Sequence, residues 1–70
     1  MTLRERREAL TMTQEAVAEI AGLRQSVISA LERGTIANPS IDTVEALAPA
    51  LRLTIGECIA AIRETVQATA

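Results

Sequence analysis

No aromatic side chain, no histidine and no lysine occurs in these 70 residues. Without aromatics, a core has to be assembled from Leu, Ile, Val, Ala and Met, which suits closely packed helices. Without histidine, the single cysteine, Cys58, has no base to activate it, and no ligand spacing fits a metal ion. No glycine-rich loop able to cradle a phosphate is present either. An enzyme, a metal and a cofactor are therefore not expected. One cysteine cannot form an internal disulfide, so a reducing cytosol is the simplest compartment. No apolar run is long enough to span a bilayer, and the N-terminus is charged from Arg4 onward, unlike a signal peptide. The expected setting is cytoplasmic, with no membrane partner. Repeats and low-complexity segments are missing too. The three glycines and two prolines fall at readable boundaries, Pro49 excepted.

An excess of positive charge is also missing. The formal net charge is −2 at pH 7, which by itself argues against nucleic acid. Its distribution is more informative. Residues 1–34 balance five arginines (4, 6, 7, 24, 33) against five acids (5, 8, 15, 19, 32). Residues 35–70 hold two arginines (52, 63) against four acids (42, 45, 57, 64). The acidic excess thus lies in the second half of the chain. All seven cations are arginine, which favours bidentate contacts over diffuse attraction. Any affinity for DNA that ignores sequence should be weak, because few phosphates can be neutralised.

What is present is apolar and helical in pattern. Hydrophobic residues make up 49% of a chain whose length fits a single domain, residues 1–70, with a small core. The organising stretch is Thr13 to Gly34, TQEAVAEIAGLRQSVISALERG. Thr13 can cap a first helix. Val17, Ala18 and Ala21 recur at helical spacing, and Gly22 stops that helix as the residue most easily placed in the left-handed conformation. A second helix starts at Gln25, carries Leu23, Ile28 and Leu31 inward and ends at Gly34. So short a link makes the two helices cross steeply, at about 90–120°, and the small Ala18 falls at the contact. The outward face of the second helix is Gln25, Ser26, Ser29, Ala30 and Arg33. These short or amide side chains with a terminal cation form a face able to lie in a groove.

The flanking segments read as support. A first helix runs from Leu3 to about Leu10, opened by a capping box of Thr2 and Glu5. Arg7 shares a face with Leu3 and Leu10, and a cation there needs a partner or a route to water. Glu32, beside core residues Ile28 and Leu31, is the candidate partner; the alternative is that Arg7 reaches solvent and Glu32 stays on the surface. Arg4 and Arg6 read as solvated, and Met12 as core. The segment TIANPS (residues 35–40) is a loop, in which Pro39 favours an extended Asn38. Ser40 then caps a fourth helix with Ile41, Val44, Leu47, Ala48 and Leu51 on its apolar side. Pro49 either kinks that helix or ends it near Ala48; a kink is expected because Leu51 keeps the helical phase. Thr54 and Glu57 form a second capping box. On the last helix Ile55, Ile59, Ile62 and Val66 form an apolar stripe with Cys58 beside it, Ile55 facing inward. The stripe closes the core, or its outer part docks onto a second copy of the chain. Residues 67–70 are expected to fray.

At this point the pattern resembles the Cro- and phage-repressor-like (Xre-type) helix-turn-helix DNA-binding domains. The carrying residues are Arg7, Met12 to Glu15, Val17, Ala18, Ala21, Gly22, Ile28, Ser29, Leu31 to Gly34, Asn38 to Ser40, Asp42 and Thr43. They span Leu3 to about Ile59. The resemblance implies an all-α, five-helix lambda-repressor-like fold with the helix-turn-helix in helices 2 and 3, over residues 13–34. It places residues 25–33 in the major groove and implies a homodimer on an operator of two-fold symmetry. Gln25, Ser26, Ser29 and Ala30 fall on base-facing positions, where the Gln25 amide can bond adenine N6 and N7 together. Gln14, Arg33, Thr35 and Asn38 fall on positions that meet the DNA backbone, and Gln14 also on one that braces the next helix. Arg24 stands where the family often has a Ser or Thr cap; it reaches a phosphate or a guanine, or is a plain turn residue. Residues 55–67 become the dimer contact, through Ile55, Cys58, Ile59, Ile62 and Val66.

Some positions depart from the family pattern. The loop TIANPS lacks the usual basic residues and is one residue longer. Pro49 is unusual. Val27 and Ile20 are apolar where the family is polar, and a contact to sugar or a thymine methyl is one role open to Val27. The expected function is a small dimeric transcription regulator, either a Cro-like repressor or a restriction–modification controller. With no room for an effector domain, no small-molecule effector is expected. The rival is a protein-interaction module, such as an antitoxin or a helical adaptor without DNA binding.

Overall fold

The computed structural model describes residues 1–69. Its elements are α1 (Leu3–Ala9), α2 (Gln14–Ala21), α3 (Gln25–Glu32), α4 (Ile41–Ala50) and α5 (Ile55–Thr69), with no strand among the described residues. This is the all-α, five-helix architecture expected from the sequence.

Four of the five helices begin where a side-chain oxygen meets a backbone amide that has no partner within the helix. At α1, the Thr2 amide donates to Glu5 Oε1 at 2.8 Å and the Glu5 amide to Thr2 Oγ1 at 3.2 Å. Thr54 and Glu57 repeat this reciprocal pair at α5, at 2.9 and 3.1 Å. Thr13 accepts from the Ala16 amide at 3.1 Å, and Ser40 from the Thr43 amide at 3.2 Å. No side chain caps α3.

The first four helices all end in one kind of turn. An amide beyond each helix reaches five residues back: Met12 to the Arg7 carbonyl at 3.2 Å, Leu23 to Ala18 at 3.0 Å, Thr35 to Ala30 at 3.1 Å and Leu53 to Ala48 at 2.9 Å. Such a closure holds the preceding residue in the left-handed conformation. The four residues are Thr11 (φ 55°), Gly22 (70°), Gly34 (75°) and Arg52 (54°). Two of these stops are therefore glycines that mark themselves in the sequence, and two are not. Pro49 falls in the last turn of α4, which ends at Ala50. The expected kink is replaced by a stop, since Leu51 already closes the helix and Arg52 turns the chain away.

The core draws on every helix: Leu3, Val17, Ala18, Ile28, Leu31, Val44, Leu47, Leu51, Cys58 and Ile62 are all buried. Ala18 is 5% exposed, and α2 packs more extensively on α3 than on any other helix. Three expectations fail at the edges of this core. Ile41 is 78% exposed rather than inward, because it is the first residue of α4 and no other element covers that end. The buried face of α5 is Cys58, Ala61, Ile62 and Thr65, so the helix is rotated relative to the expected stripe, and Ile55 (44%) and Ile59 (37%) face outward. The helix also continues to Thr69, past the point where fraying was expected, and its last described hydroxyl bonds back to the carbonyls of Thr65 and Val66, both at 3.1 Å. Ala70 lies outside the described residues.

Two polar side chains join helices in ways no pattern announced. Thr65 is 2% exposed. Its hydroxyl accepts from the Leu3 amide at 3.0 Å and donates to the Ala61 carbonyl at 2.7 Å, so α5 supplies a partner to the first turn of α1. Arg6, expected in solvent, donates from Nε to the Leu51 carbonyl at 2.9 Å and from Nη2 to the Arg52 carbonyl at 3.1 Å. Since α4 has no basic residue in its own last turn, Arg6 places a cation at the negative end of that helix.

Candidate nucleic-acid interface

The candidate interface is α3 and what holds it from behind. Arg7 and Glu32 meet under the helix. Arg7 Nε donates to Glu32 Oε2 at 2.6 Å and Nη2 to Oε1 at 3.1 Å, while Nη1 donates to the Met12 carbonyl at 2.8 Å. Gln14 Nε2 adds a third donor to Glu32, on Oε1 at 3.0 Å. The Arg7 and Glu32 side chains are 13% and 7% exposed. The bond to Glu32 pushes the Arg7 guanidinium pKa up, outweighing the burial that would lower it. Among the described residues no buried side-chain nitrogen or oxygen lacks a partner. Through this network α1, the start of α2 and the end of α3 are locked together by charge-assisted bonds, which are shorter and stronger than neutral ones.

The front of α3 is graded. Gln25 and Ser26, in its first turn, are exposed; Ser29 and Ala30, one turn on, are half-buried. Arg33 is exposed, and its Nη1 donates to the Ser29 hydroxyl, so these two residues present one polar unit. Thr35 is exposed but its hydroxyl donates to the Ala30 carbonyl at 3.0 Å, closing the end of α3. Arg24 is exposed just ahead of α3, at the capping position, with no side-chain bond to the helix. Gln14 begins α2, and its side-chain amide is directed inward to Glu32. Asn38 is exposed in the following loop, where it also borders a recess between α4 and α5.

Some sequence-derived placements shift. Val27 is half-buried against the core, so its apolar character serves packing. Ile20 is 64% exposed on α2, and nothing in the structure explains it. On α5, Cys58 is fully buried and Ile62 is 4% exposed. Neither side chain reaches outward, and burial pushes the Cys58 thiol pKa up, away from thiolate chemistry. Of the five residues expected at a dimer contact, Ile55 and Ile59 are exposed and Val66 is half-buried. Sequence reasoning missed Arg6 and Thr65. The one available signal for Arg6 was the lack of a basic residue in the last turn of α4.

Two short helices packed together across a tight turn, braced from behind by a first helix and presenting the outer face of the second, define a helix-turn-helix DNA-binding protein. The chain belongs to the helix-turn-helix family of the Cro, phage-repressor and Xre type: the family model described as Helix-turn-helix matches residues 3–58, all of α1 to α4 and the first turn of α5. No curated protein and no solved structure matches the chain. The family is one of DNA-binding regulators, which is the class in which this chain falls. Among the described residues no group of acidic, histidine or cysteine side chains could hold a metal ion, and no helix is long and apolar enough to cross a membrane.

Proposed function

We propose that this protein is a transcription regulator that binds a two-fold symmetric operator as a homodimer, in the manner of a Cro-like repressor or a restriction–modification controller. The observation that carries the reading is the contrast across α3. Its back is fixed by Arg7, Glu32 and Gln14, while Gln25 and Ser26 stand exposed at its start. A rigid support with free polar side chains on the opposite side is what base reading in a groove requires. Gln25 is the principal reader, with Ser26, Ser29 and Ala30 as its neighbours. Gln14, Arg24, Arg33, Thr35 and Asn38 meet phosphates and sugars. Because only Arg24 and Arg33 bring cations, affinity depends modestly on salt, and specificity rests on few base contacts and on the second subunit.

Selection from a random duplex library, followed by footprinting, tests this. The expected product is an inverted repeat with half-site centres about 34–36 Å apart. The net charge of −2 and the loop TIANPS, which lacks a basic residue, favour the rival of a protein-interaction module. Failure to enrich any sequence would overturn the operator reading.

A further inference from the structure

The support of α3 does not end at Glu32. Two residues further on, at the left-handed stop of the helix, Gly34 is half-buried against the last turns of α5. A Cβ on Gly34 would collide with the Thr69 hydroxyl, and would lie 3.4 Å from the Thr69 Cβ and 3.5 Å from the Thr65 carbonyl. The α5 side of this contact is itself held. The Thr65 hydroxyl accepts from the Leu3 amide at 3.0 Å, which ties this part of α5 to α1. The Thr69 hydroxyl donates to the carbonyls of Thr65 and Val66, both at 3.1 Å, so moving it aside breaks those bonds. The family match ends at residue 58, so the α5 residues in this contact lie outside the matched segment.

We infer that Thr69 is a positioning residue for DNA binding: it packs α5 against Gly34, and through Gly34 it sets where Arg33 meets the DNA backbone. The inference rests on the DNA-binding reading above and extends the support of the reading helix to the end of α5. Arg33 is bonded directly to Gly34, so a shift of one is passed to the other. The Arg33 amide donates to the Ser29 carbonyl at 3.0 Å and the Thr35 amide to the Ala30 carbonyl at 3.1 Å. Those bonds tie the end of α3 to itself, not to the rest of the molecule. Glu32 fixes one side of that end through Arg7 and Gln14. The α5 contact fixes the other, by shape instead of charge. Gly22 and Gly34 share a positive φ, but a Cβ on Gly22 would meet nothing within 4 Å. What sets Gly34 apart is therefore α5 and not the turn. Close-packed contacts pass on small displacements because interiors compress little, and a hydrogen bond to a phosphate weakens steeply once its distance and angle are lost.

Anisotropy titrations of the full chain on selected operator DNA, over a series of salt concentrations, test the inference, with far-UV circular dichroism melting confirming that each variant is folded. Thr69→Ala, at an exposed position where folding is not at stake, removes the hydroxyl that stops Gly34 and is expected to weaken binding about threefold. Thr69→Ser keeps the hydroxyl and should bind as wild type. Gly34→Ala is expected to weaken binding to every sequence by one common factor of about tenfold, no more than Arg33→Ala does. Its salt slope should become shallower by about 0.9, the equivalent of one phosphate contact. Combining Gly34→Ala with Thr69→Ala trades one atom across the contact and should restore most of the loss. In an Arg33→Ala background neither change should have a further effect, because the residue through which both act is gone. Should Gly34→Ala fail to fold, the two Thr69 variants carry the test alone. Folded variants that bind as wild type, a double variant no better than Gly34→Ala, or losses equal with and without Arg33 would overturn the inference and leave the DNA-binding reading standing. A wild type that binds no duplex would overturn that reading and this inference with it.

Discussion

Arg7 and Glu32 are joined by two hydrogen bonds, at 2.6 and 3.1 Å, beneath α3. Breaking a pair this buried leaves an uncompensated charge, which costs about 3–5 kcal/mol. Glu32→Ala leaves Arg7 unpaired and releases Gln14 at once. A small domain has only about 5–15 kcal/mol in total. Urea denaturation should therefore show Glu32→Ala as severely destabilised, and the double variant with Arg7→Met as less affected than the single.

The left-handed stops separate two kinds of backbone constraint. Gly22 and Gly34 both have positive φ, but a Cβ on Gly22 would meet open space, whereas one on Gly34 would collide with the Thr69 hydroxyl. Gly22→Ala is expected to cost about 1 kcal/mol from conformation alone, and Gly34→Ala clearly more. Conversely, Thr11 is a branched residue forced to φ 55°. Thr11→Gly should raise the melting temperature by a few degrees, about 1 kcal/mol in a domain of this size. Equal losses for Gly22→Ala and Gly34→Ala would contradict the contact between α5 and the end of α3.

Stability should fall in acid through the two capping boxes. The amides of Thr2 and Thr54 hold the carboxyls of Glu5 and Glu57 below their ordinary value of 4.5. A carboxyl lowered in the folded state adds stability that is fully present above its unfolded pKa and is lost as pH falls through the folded one. Urea midpoints should thus be flat at neutral pH and decline below about pH 4.5. Glu5→Gln with Glu57→Gln keeps an acceptor in both boxes but removes the titration, so its acid decline should be shallower.

Much of this fold is legible in the sequence, for physical reasons that also mark where legibility stops. Capping is local: a Thr or Ser acceptor and a Glu three residues on are close neighbours in the chain, so Thr2, Thr13, Ser40 and Thr54 can be read directly. Arg7 between Leu3 and Leu10 calls for an acidic partner or a route to water on its pattern alone, and the bonds to Glu32 decide for the partner. Periodicity, by contrast, gives the phase of a helix and not the depth of its surroundings. Ile41 is in phase with Val44 and Leu47 yet stands 78% exposed as the first residue of α4. On α5 two faces are apolar, and which one turns inward depends on α1 and α4, not on α5. Thr65 hides because a polar residue inside a helix looks like surface until the Leu3 amide is seen 3.0 Å from it. Arg52 and Thr11 hide because left-handed stops without glycine have no sequence mark.

On the proposed reading Gln25 contacts a base while Arg33 holds the DNA backbone. Anisotropy titrations of wild type, Gln25→Ala and Arg33→Ala against the selected operator and its single-base variants test this most directly. Wild type should lose about 1–3 kcal/mol when the base pair facing Gln25 is changed. Gln25→Ala should lose that discrimination at the same base pair only, and Arg33→Ala should weaken binding to all sequences by one common factor. If both variants weakened every sequence by a common factor, with discrimination intact, α3 would not read DNA in the way proposed.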